Sequence, residues 1–478
     1  MGRGGMLKKR LGTVLLFIID IAAVFLILQL SIFSRKNILP YFLQFPDFPV
    51  KGYMVFVWVL PVWLLFFVYE GLYSKRFSYW DEIKVLWKSA FFSTLAVFSI
   101  LYLGKVGEQI SRTVIVLMGF IAIPALPLIR LNAKRFLMNK GLIKSKALIL
   151  GAGKTGELIL NALKRDANLA FDVVGFLDDD PGKIGQRIGG VKIHGNVDKA
   201  QKYIGRYGIQ DIIIAMPGCD SKRLAKIINS LQHNVQNILF IPDLFGIAVL
   251  GTKLQHFFQE QVIGLEVSNN LASPVNIFTK KVFDLAAGLV LLVIFFIPML
   301  VIALLTRINS KGSAIFSQER IGKDDKPFQC YKFRTMYHDA EERFDELLKK
   351  SPEAVSEWER NYKLKEDPRI TKAGAFLRKT SLDELPQLFN VLRGEMSLVG
   401  PRPVTRKEID DYYREAAKLC FGVPPGITGL WQVSGRSSTG YTHRIALDSW
   451  YVRNWNIWLD IVILLKTVKI VIKKEGAW

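Results

Sequence analysis

Two adjacent carboxylates, Asp383 and Glu384, stand at the centre of the stretch Arg378-Lys-Thr-Ser-Leu-Asp-Glu-Leu-Pro-Gln-Leu-Phe-Asn390, with Arg378, Arg393 and Arg402 around them. Acids held among fixed cations suit chemistry on a phosphate. One carboxylate can attack phosphorus or bind a metal while the guanidinium groups hold the anion. Ser381 and Glu384 also have the spacing of a capping box, so a purely structural role stands beside the chemical one. Under both readings a helix begins here, because Pro386 suits a first turn and not a helix middle. That start would place Asp383 at the positive end of the helix dipole, which favours the ionised form a nucleophile needs.

The flanking segments supply further anion-binding groups. The runs 316–322 and 328–336 read as strands, and alternation turns Lys332 and Arg334 to one face, either an anion site or a solvated face. Residues 338–366 are highly charged at helical spacing, as in a solvated surface helix. Gly400-Pro-Arg-Pro403 is a stiff loop that presents Arg402 at low entropic cost. A second glycine-rich loop, Pro425 to Arg436, ends in another arginine. The tail, from Asp448 through Trp455 and Trp458 to 461–473, combines a tryptophan belt with Lys466, Lys469, Lys473 and Lys474. It predicts an interfacial helix rather than a core one.

Half of the 478 residues are hydrophobic, and the net charge is +22. That balance fits a membrane protein with a large face towards anionic lipid or phosphate ligands. Nucleic acid is not an expected partner, since the cations are dispersed and no zinc-finger, basic-zipper or RNP pattern occurs. Cys219, Cys330 and Cys420 form no CxxC, which predicts reduced thiols, and the five histidines offer no zinc pair. The first apolar stretch is too long for a cleaved signal peptide and lacks a small-residue cleavage site.

Four apolar stretches, near 12–33, 53–69, 89–104 and 113–129, are each about as long as a membrane span requires. Cations cluster before the first, between the second and third, and after the fourth, which puts the N-terminus and everything after about 130 in the cytoplasm. Asp20 inside the first stretch is either a functional intramembrane acid or a helix-packing residue. Pro61, Pro124 and Pro127 are expected to kink their helices. A fifth apolar run, Leu285 to Leu305, is broken by Pro298 and guarded by cations at both ends. A crossing helix would separate the dyad from any cytosolic phosphate donor, so a helix that enters and returns on one side fits better.

Between these parts, Lys146 to Glu157 is a strand, a glycine turn and a helix start, with Gly151, Gly153 and Gly156 as GxGxxG. A second strand ends at Asp178, the distance at which a Rossmann unit places its ribose acid. The runs from Asp211 and Asn237 look like further parallel strands. The glycines serve either a nucleotide or close strand–helix packing.

KFRTM (332–336), DPRIT (367–371), LRKTSLDELPQLFNVLRGEMSLVGPRP (377–403) and PGITGLWQVSGR (425–436) resemble the bacterial polyprenyl-phosphate sugar-1-phosphate transferases, the monotopic phosphoglycosyl transferases. The four spans and α/β domain match the family's large members, of the undecaprenyl-phosphate galactose-phosphotransferase type. The resemblance implies a membrane α-helical bundle (1–140), a Rossmann-like α/β domain (141–268) and an α/β-type monotopic catalytic domain (269–478). The last would carry a re-entrant helix at about 280–307, marked by Lys280, Lys281, Asp284 and Pro298. It implies Asp383 as nucleophile on the β-phosphate of a UDP-sugar, with Glu384, and with it Asp383, at Mg²⁺. UMP would leave, and undecaprenyl phosphate would take the sugar phosphate, starting an O-antigen, capsule or exopolysaccharide. Arg378 and Arg402 match the family's phosphate-handling arginines, with Lys332, Arg334, Arg436 and Asp448 assigned more loosely to substrate. The bacterial inner membrane, a cytoplasmic catalytic face and a homodimer follow from the same resemblance. Two rivals remain: a nucleotide-sugar dehydratase or epimerase at the Gly151 motif, which lacks a YxxxK base, and a non-catalytic scaffold for polysaccharide assembly.

Overall fold

A computed structural model describes residues 3–43, 58–103, 111–242, 253–257, 262–266, 270–309, 312–350, 367–435 and 440–473. The chain packs as two compact units, Met1–Asp243 and Leu244–Trp478. The helical bundle and the α/β sheet therefore belong to one unit.

In the first unit, α1 (Arg3–Phe33), α2 (Val59–Tyr69), α3 (Tyr79–Leu103) and α4 (Arg112–Asn139) pack around Val24, Trp63, Leu86 and Met118. The segments Leu7–Tyr41, Tyr79–Leu103 and Arg112–Asn139 are long and apolar enough to cross a membrane. Helix α2, with 11 described residues, is shorter. Pro61 falls in the first turn of the described helix, where its missing N–H is tolerated. Pro124 and Pro127 stay inside one continuous α4.

Asp20 is fully buried and ion-paired with Arg130, and it accepts a hydrogen bond from the Tyr73 hydroxyl at 2.7 Å. Arg130 Nε donates to Glu82 Oε1 at 2.8 Å, and Lys134 Nζ to Glu82 Oε2 at 2.5 Å. Asn168, which precedes the second strand of the sheet, donates to the same Glu82 at 2.7 Å. Asp20 is thus the packing residue of its two readings, part of a network tying three helices to the α/β layer. A charge buried away from water persists only with such partners.

The sheet comprises β1 (Ser145–Leu150), β2 (Phe171–Leu177), β3 (Arg187–Ile188), β4 (Val191–Gly195), β5 (Asp211–Ile214) and β6 (Asn237–Phe240). Their order is β3-β4-β2-β1-β5-β6, parallel except at the β3 edge. Helices α5 (Lys154–Arg165), α6 (Ala200–Tyr207) and α7 (Ser221–Leu231) form the connections. Strands β1 and β5 are buried nearly throughout, which is why both read as continuous apolar runs.

In the second unit, β7 (Lys253–Phe257) and β8 (Val262–Glu266) make a hairpin, followed by α8, Pro274–Asn309. Helix α8 has 36 residues, so it is about 54 Å long at a rise of about 1.5 Å per residue. Pro298 lies inside it without ending it, and the stretch Pro274–Ile308 is long and apolar enough to cross a membrane. Phe278, Leu289, Val293, Ile297 and Leu304 are exposed on α8, whereas Met299 and Ile302 are buried against Phe333 and Leu377. The rest of the unit comprises the antiparallel pair β9 (Ile315–Ile321) and β10 (Pro327–Phe333), α9 (Ala340–Lys350), α10 (Lys372–Thr380) and α11 (Gln387–Leu392). The parallel pair β11 (Ser397–Val399) and β12 (Gly426–Thr428), α12 (Tyr441–Arg453) and α13 (Ile457–Lys473) complete it.

The tail departs from a purely interfacial helix. Trp455 is buried and its indole donates to Asp460 at 3.1 Å, and Ile463 joins the same core. Leu465, Val468 and Ile472 of α13 remain exposed. One face of α13 is core, and the other is the apolar surface the sequence predicts. Lys474 lies outside the described residues.

Candidate active site

Lys332, Arg334, Arg378, Asp383, Glu384 and Arg402 line one cavity of about 1090 Å³ in the second unit. The antiparallel β9–β10 pair delivers Lys332 and Arg334 from the end of β10, as their alternation predicts. Helix α10 carries Arg378, whose Nε donates to Thr335 Oγ1 at 2.9 Å.

The dyad sits between two helices. Ser381 closes α10 in the left-handed conformation, φ 55°, and its side chain makes no capping bond. The capping box anticipated at Ser381 and Glu384 does not form, because Ser381 serves as a C-cap. Leu382–Glu384 make a single 3₁₀ turn before α11. A capping box does occur at Thr405 and Glu408.

Burial and the adjacent Glu384 charge push the Asp383 carboxyl up to about 6, against the pull of Lys332 and Arg378. This reverses the helix-dipole expectation, since no regular helix begins at Asp383 and desolvation dominates. Glu384 Oε1 accepts from Lys332 Nζ at 2.7 Å. The dyad is therefore differentiated: Glu384 is tied to a cation, and the Asp383 carboxyl is raised to about 6.

The backbone holds Arg402 closely. A Cβ on Gly426 would lie 2.1 Å from Gly400 N, and one on Gly429 would lie 2.3 Å from Gly400 O. Only glycines allow the two loops to approach this far. Arg402 then lies over the Trp431 ring, 5.7 Å from its centroid.

Other anticipated residues fall elsewhere. Asp448 is buried off the cavity wall, accepts from the Tyr413 hydroxyl at 2.9 Å and stands 3.9 Å from Arg444. Burial pushes its carboxyl up to about 6, although Arg444 and the Tyr413 bond oppose this. It supports neighbouring side chains rather than touching a ligand in the cavity. Arg393 donates to the Tyr331 hydroxyl at 2.6 Å and is not among the lining residues. Arg436 lies outside the described residues. Arg369, Glu408, Gln432, Tyr441 and Arg444 line the cavity without having been singled out. Arg444 lies four residues before Asp448 on α12, and that helical spacing was the one available signal.

In the α/β domain, Gly151 has φ +102°, and its Cβ would lie 2.5 Å from Ala215 O. A Cβ on Gly156 would lie 2.2 Å from Gly151 O, whereas one on Gly153 would meet open space. Two of the three glycines thus serve close packing. Asp178 accepts from Ala152 N at 2.7 Å, bracing the glycine turn. Against burial, this bond, a second from Asp180 N at 3.0 Å and Lys183 hold its carboxyl below the usual range.

Among the described residues no three His, Cys, Asp or Glu side chains gather as a metal cage. Two adjacent carboxylates in a cavity lined by cations nevertheless suit Mg²⁺, which binds through one or two carboxylates and completes its shell with other oxygens and water.

Lys280 anchors α8 beneath the site. Its Nζ donates to Asp460 Oδ2 at 2.7 Å, Val399 O at 3.0 Å and Asp284 Oδ1 at 3.2 Å. The fixed Val399 leads directly into the Gly400–Pro403 loop.

A family model described as bacterial sugar transferase matches residues 275–474, and one described as CoA-binding domain matches 68–242. The chain is 37% identical to a UDP-galactose-lipid carrier transferase of Erwinia amylovora, over 85% of this chain and 84% of that one. It is 36% identical to an undecaprenyl-phosphate galactose phosphotransferase of Salmonella typhimurium, over 85% and 84%. A UDP-glucose:undecaprenyl-phosphate glucose-1-phosphate transferase of Escherichia coli is 33% identical over 70% and 69%. The chain therefore belongs to the bacterial sugar transferase family, as a transferase of the large polyprenyl-phosphate sugar-1-phosphate type that its motifs resemble.

Proposed function

We propose that the protein transfers a sugar phosphate from a UDP-sugar, UDP-galactose or UDP-glucose, to undecaprenyl phosphate, releasing UMP in the first membrane step of a surface polysaccharide. The observation that carries this reading is Asp383 in one cavity with Glu384, Lys332, Arg378 and Arg402.

Asp383 attacks the β-phosphorus, the bond to the UMP oxygen breaks, and UMP departs with the electron pair. A sugar-phosphoryl-aspartate remains. A phosphate oxygen of undecaprenyl phosphate then attacks the same phosphorus and frees Asp383. Lys332 and Arg378 offset the repulsion between anions, and two steps replace one difficult transfer. Glu384 and Asp383 would hold Mg²⁺, which when bound neutralises charge on the transferred phosphoryl group.

Helix α8 brings the lipid acceptor to this cavity. Before Pro298 it packs near Val391 through Gly288, and after Pro298 Ile302 packs with Phe333 and Leu377. Contact with the same catalytic unit on both sides of Pro298 supports a helix that enters and leaves the membrane on the catalytic side. The cation pattern supports a cytoplasmic face at the bacterial inner membrane. A homodimer follows from the family resemblance. In the α/β domain a nucleotide would approach at Gly153, beside Asp178.

The test is UMP release from a panel of UDP-sugars with undecaprenyl phosphate and Mg²⁺, for the wild type and Asp383→Asn. Release with one sugar that is lost in the variant is the expected result. Near-normal turnover by Asp383→Asn would overturn the covalent route.

A further inference from the structure

We infer that Arg444, together with Arg402 and Trp431, forms the subsite that holds the phosphate of the departing nucleotide; this rests on the transfer reaction proposed above. Arg444 lines the active cavity yet is only 6% exposed. Its guanidinium sits among three aromatic rings, 5.0 Å from the Trp431 centroid, 5.4 Å from Tyr441 and 5.7 Å from Tyr413. Its nearest carboxylate oxygens, on Glu408 and Asp448, are 3.8 Å and 3.9 Å away, beyond hydrogen-bond reach. Its Nε and Nη2 are buried and make no hydrogen bond.

A buried guanidinium with unfilled donors is costly, and such groups are ordinarily satisfied. The aromatic rings hold the cation without using its N–H groups, which leaves the planar fork for an anion. A phosphate ester entering the cavity supplies that anion. Arg402 approaches the same Trp431 ring and adds a second cation.

This cluster is distinct from the Lys332–Glu384 and Arg378–Thr335 pairs around Asp383. A UDP-sugar carries two phosphates. The one under attack belongs with Asp383, and the one that leaves with UMP requires cations of its own. The lining favours a nucleotide over an isoprenoid phosphate. Trp431 Nε1, a donor, and Gln432 Oε1, an acceptor, are both buried without a partner. A uracil edge, with an N–H between two carbonyls, complements such a pair, and an isoprenoid chain offers neither group.

The experiment measures UMP, uridine and short-chain polyprenyl phosphate binding by calorimetry on the full chain in nanodiscs, for the wild type, Arg444→Met and Arg444→Lys. Methionine keeps the aliphatic bulk and removes the fork. UMP affinity is expected to fall at least about tenfold in Arg444→Met, the weight of a lost charge-assisted hydrogen bond. Uridine, which has no phosphate, and polyprenyl phosphate should change little, and Arg444→Lys should fall between. Unchanged UMP affinity in a folded Arg444→Met, or a loss confined to polyprenyl phosphate, would overturn the assignment. Should Arg444→Met fail to fold, Trp431→Phe decides. UMP should alter tryptophan fluorescence in the wild type and not in this variant, and a persisting change would place UMP elsewhere. A wild type that binds no UMP at all overturns the transfer reaction itself, whereas UMP binding indifferent to Arg444 overturns only the subsite.

Discussion

Lys332 Nζ lies 2.7 Å from Glu384 Oε1, so the cation at the end of β10 is bonded to the neighbour of Asp383, the proposed nucleophile. Glu384 raises the Asp383 pKa and Lys332 lowers it, so the pair sets how readily Asp383 ionises. Replacing Lys332 with Met should raise the Asp383 pKa further and move the acid limb of UMP release to higher pH. At neutral pH the rate should drop about 10- to 100-fold, in line with one lost electrostatic contact. A pH–rate profile of the variant checks this, and an unmoved limb would count against the coupling.

The wild-type profile carries its own prediction. A nucleophilic Asp383, as proposed, would act ionised, so kcat/KM for UMP release should rise with pH and level off above about 6. An ordinary carboxyl would level off near 3.8. Stability should run the other way. Between about 4 and 6 the folded chain keeps a proton that the unfolded chain has lost, so stability falls as pH rises through this window. Asp383→Asn should therefore raise the thermal midpoint at pH 8 and leave it little changed at pH 4. Calorimetry at the two pH values reads the difference.

Lys280 and Asp460 are 180 residues apart and bonded at 2.7 Å in the interior. Lys280→Met leaves Asp460 without its cation and should cost the catalytic unit about 3–5 kcal/mol. Adding Asp460→Asn should recover part of that loss. Chemical unfolding of the single and double variants measures the coupling. Because Lys280 also holds Val399, the single variant should raise KM through a displaced Arg402 loop.

Asp20 and Arg130 form a fully buried ion pair in the network that ties the helices to the α/β layer. Arg130→Met strands the buried Asp20, takes one of two cations from Glu82, which keeps Lys134, and should destabilise the first unit by about 3–5 kcal/mol. Asn168→Ala, which removes only the link to the sheet, should cost about 1–3 kcal/mol. Limited proteolysis of the α/β domain should accelerate in both variants. Unchanged proteolysis would show that the network does not hold that domain.

Where chemistry rests on short-range pattern, the sequence carried it. The Asp383-Glu384 dyad, the alternation of Lys332 and Arg334, the loop bearing Arg402 and the apolar runs of β1 and β5 were all readable, because strand period and motif spacing act over a few residues. What depended on burial was not readable. Ser381 and Glu384 have the spacing of a capping box, but packing turned Ser381 into the left-handed end of the preceding helix. Asp383 gained its raised pKa from desolvation, which local sequence does not contain. Asp448 and Trp455 looked like site and interface residues and were drawn into the core. Arg444 stood in no motif and entered the cavity because α12 packs against the Leu430–Val433 turn that carries Trp431. The sequence by itself determined which groups could do the chemistry. The tertiary structure decided which of them lose their water, and with it their charge state and partners.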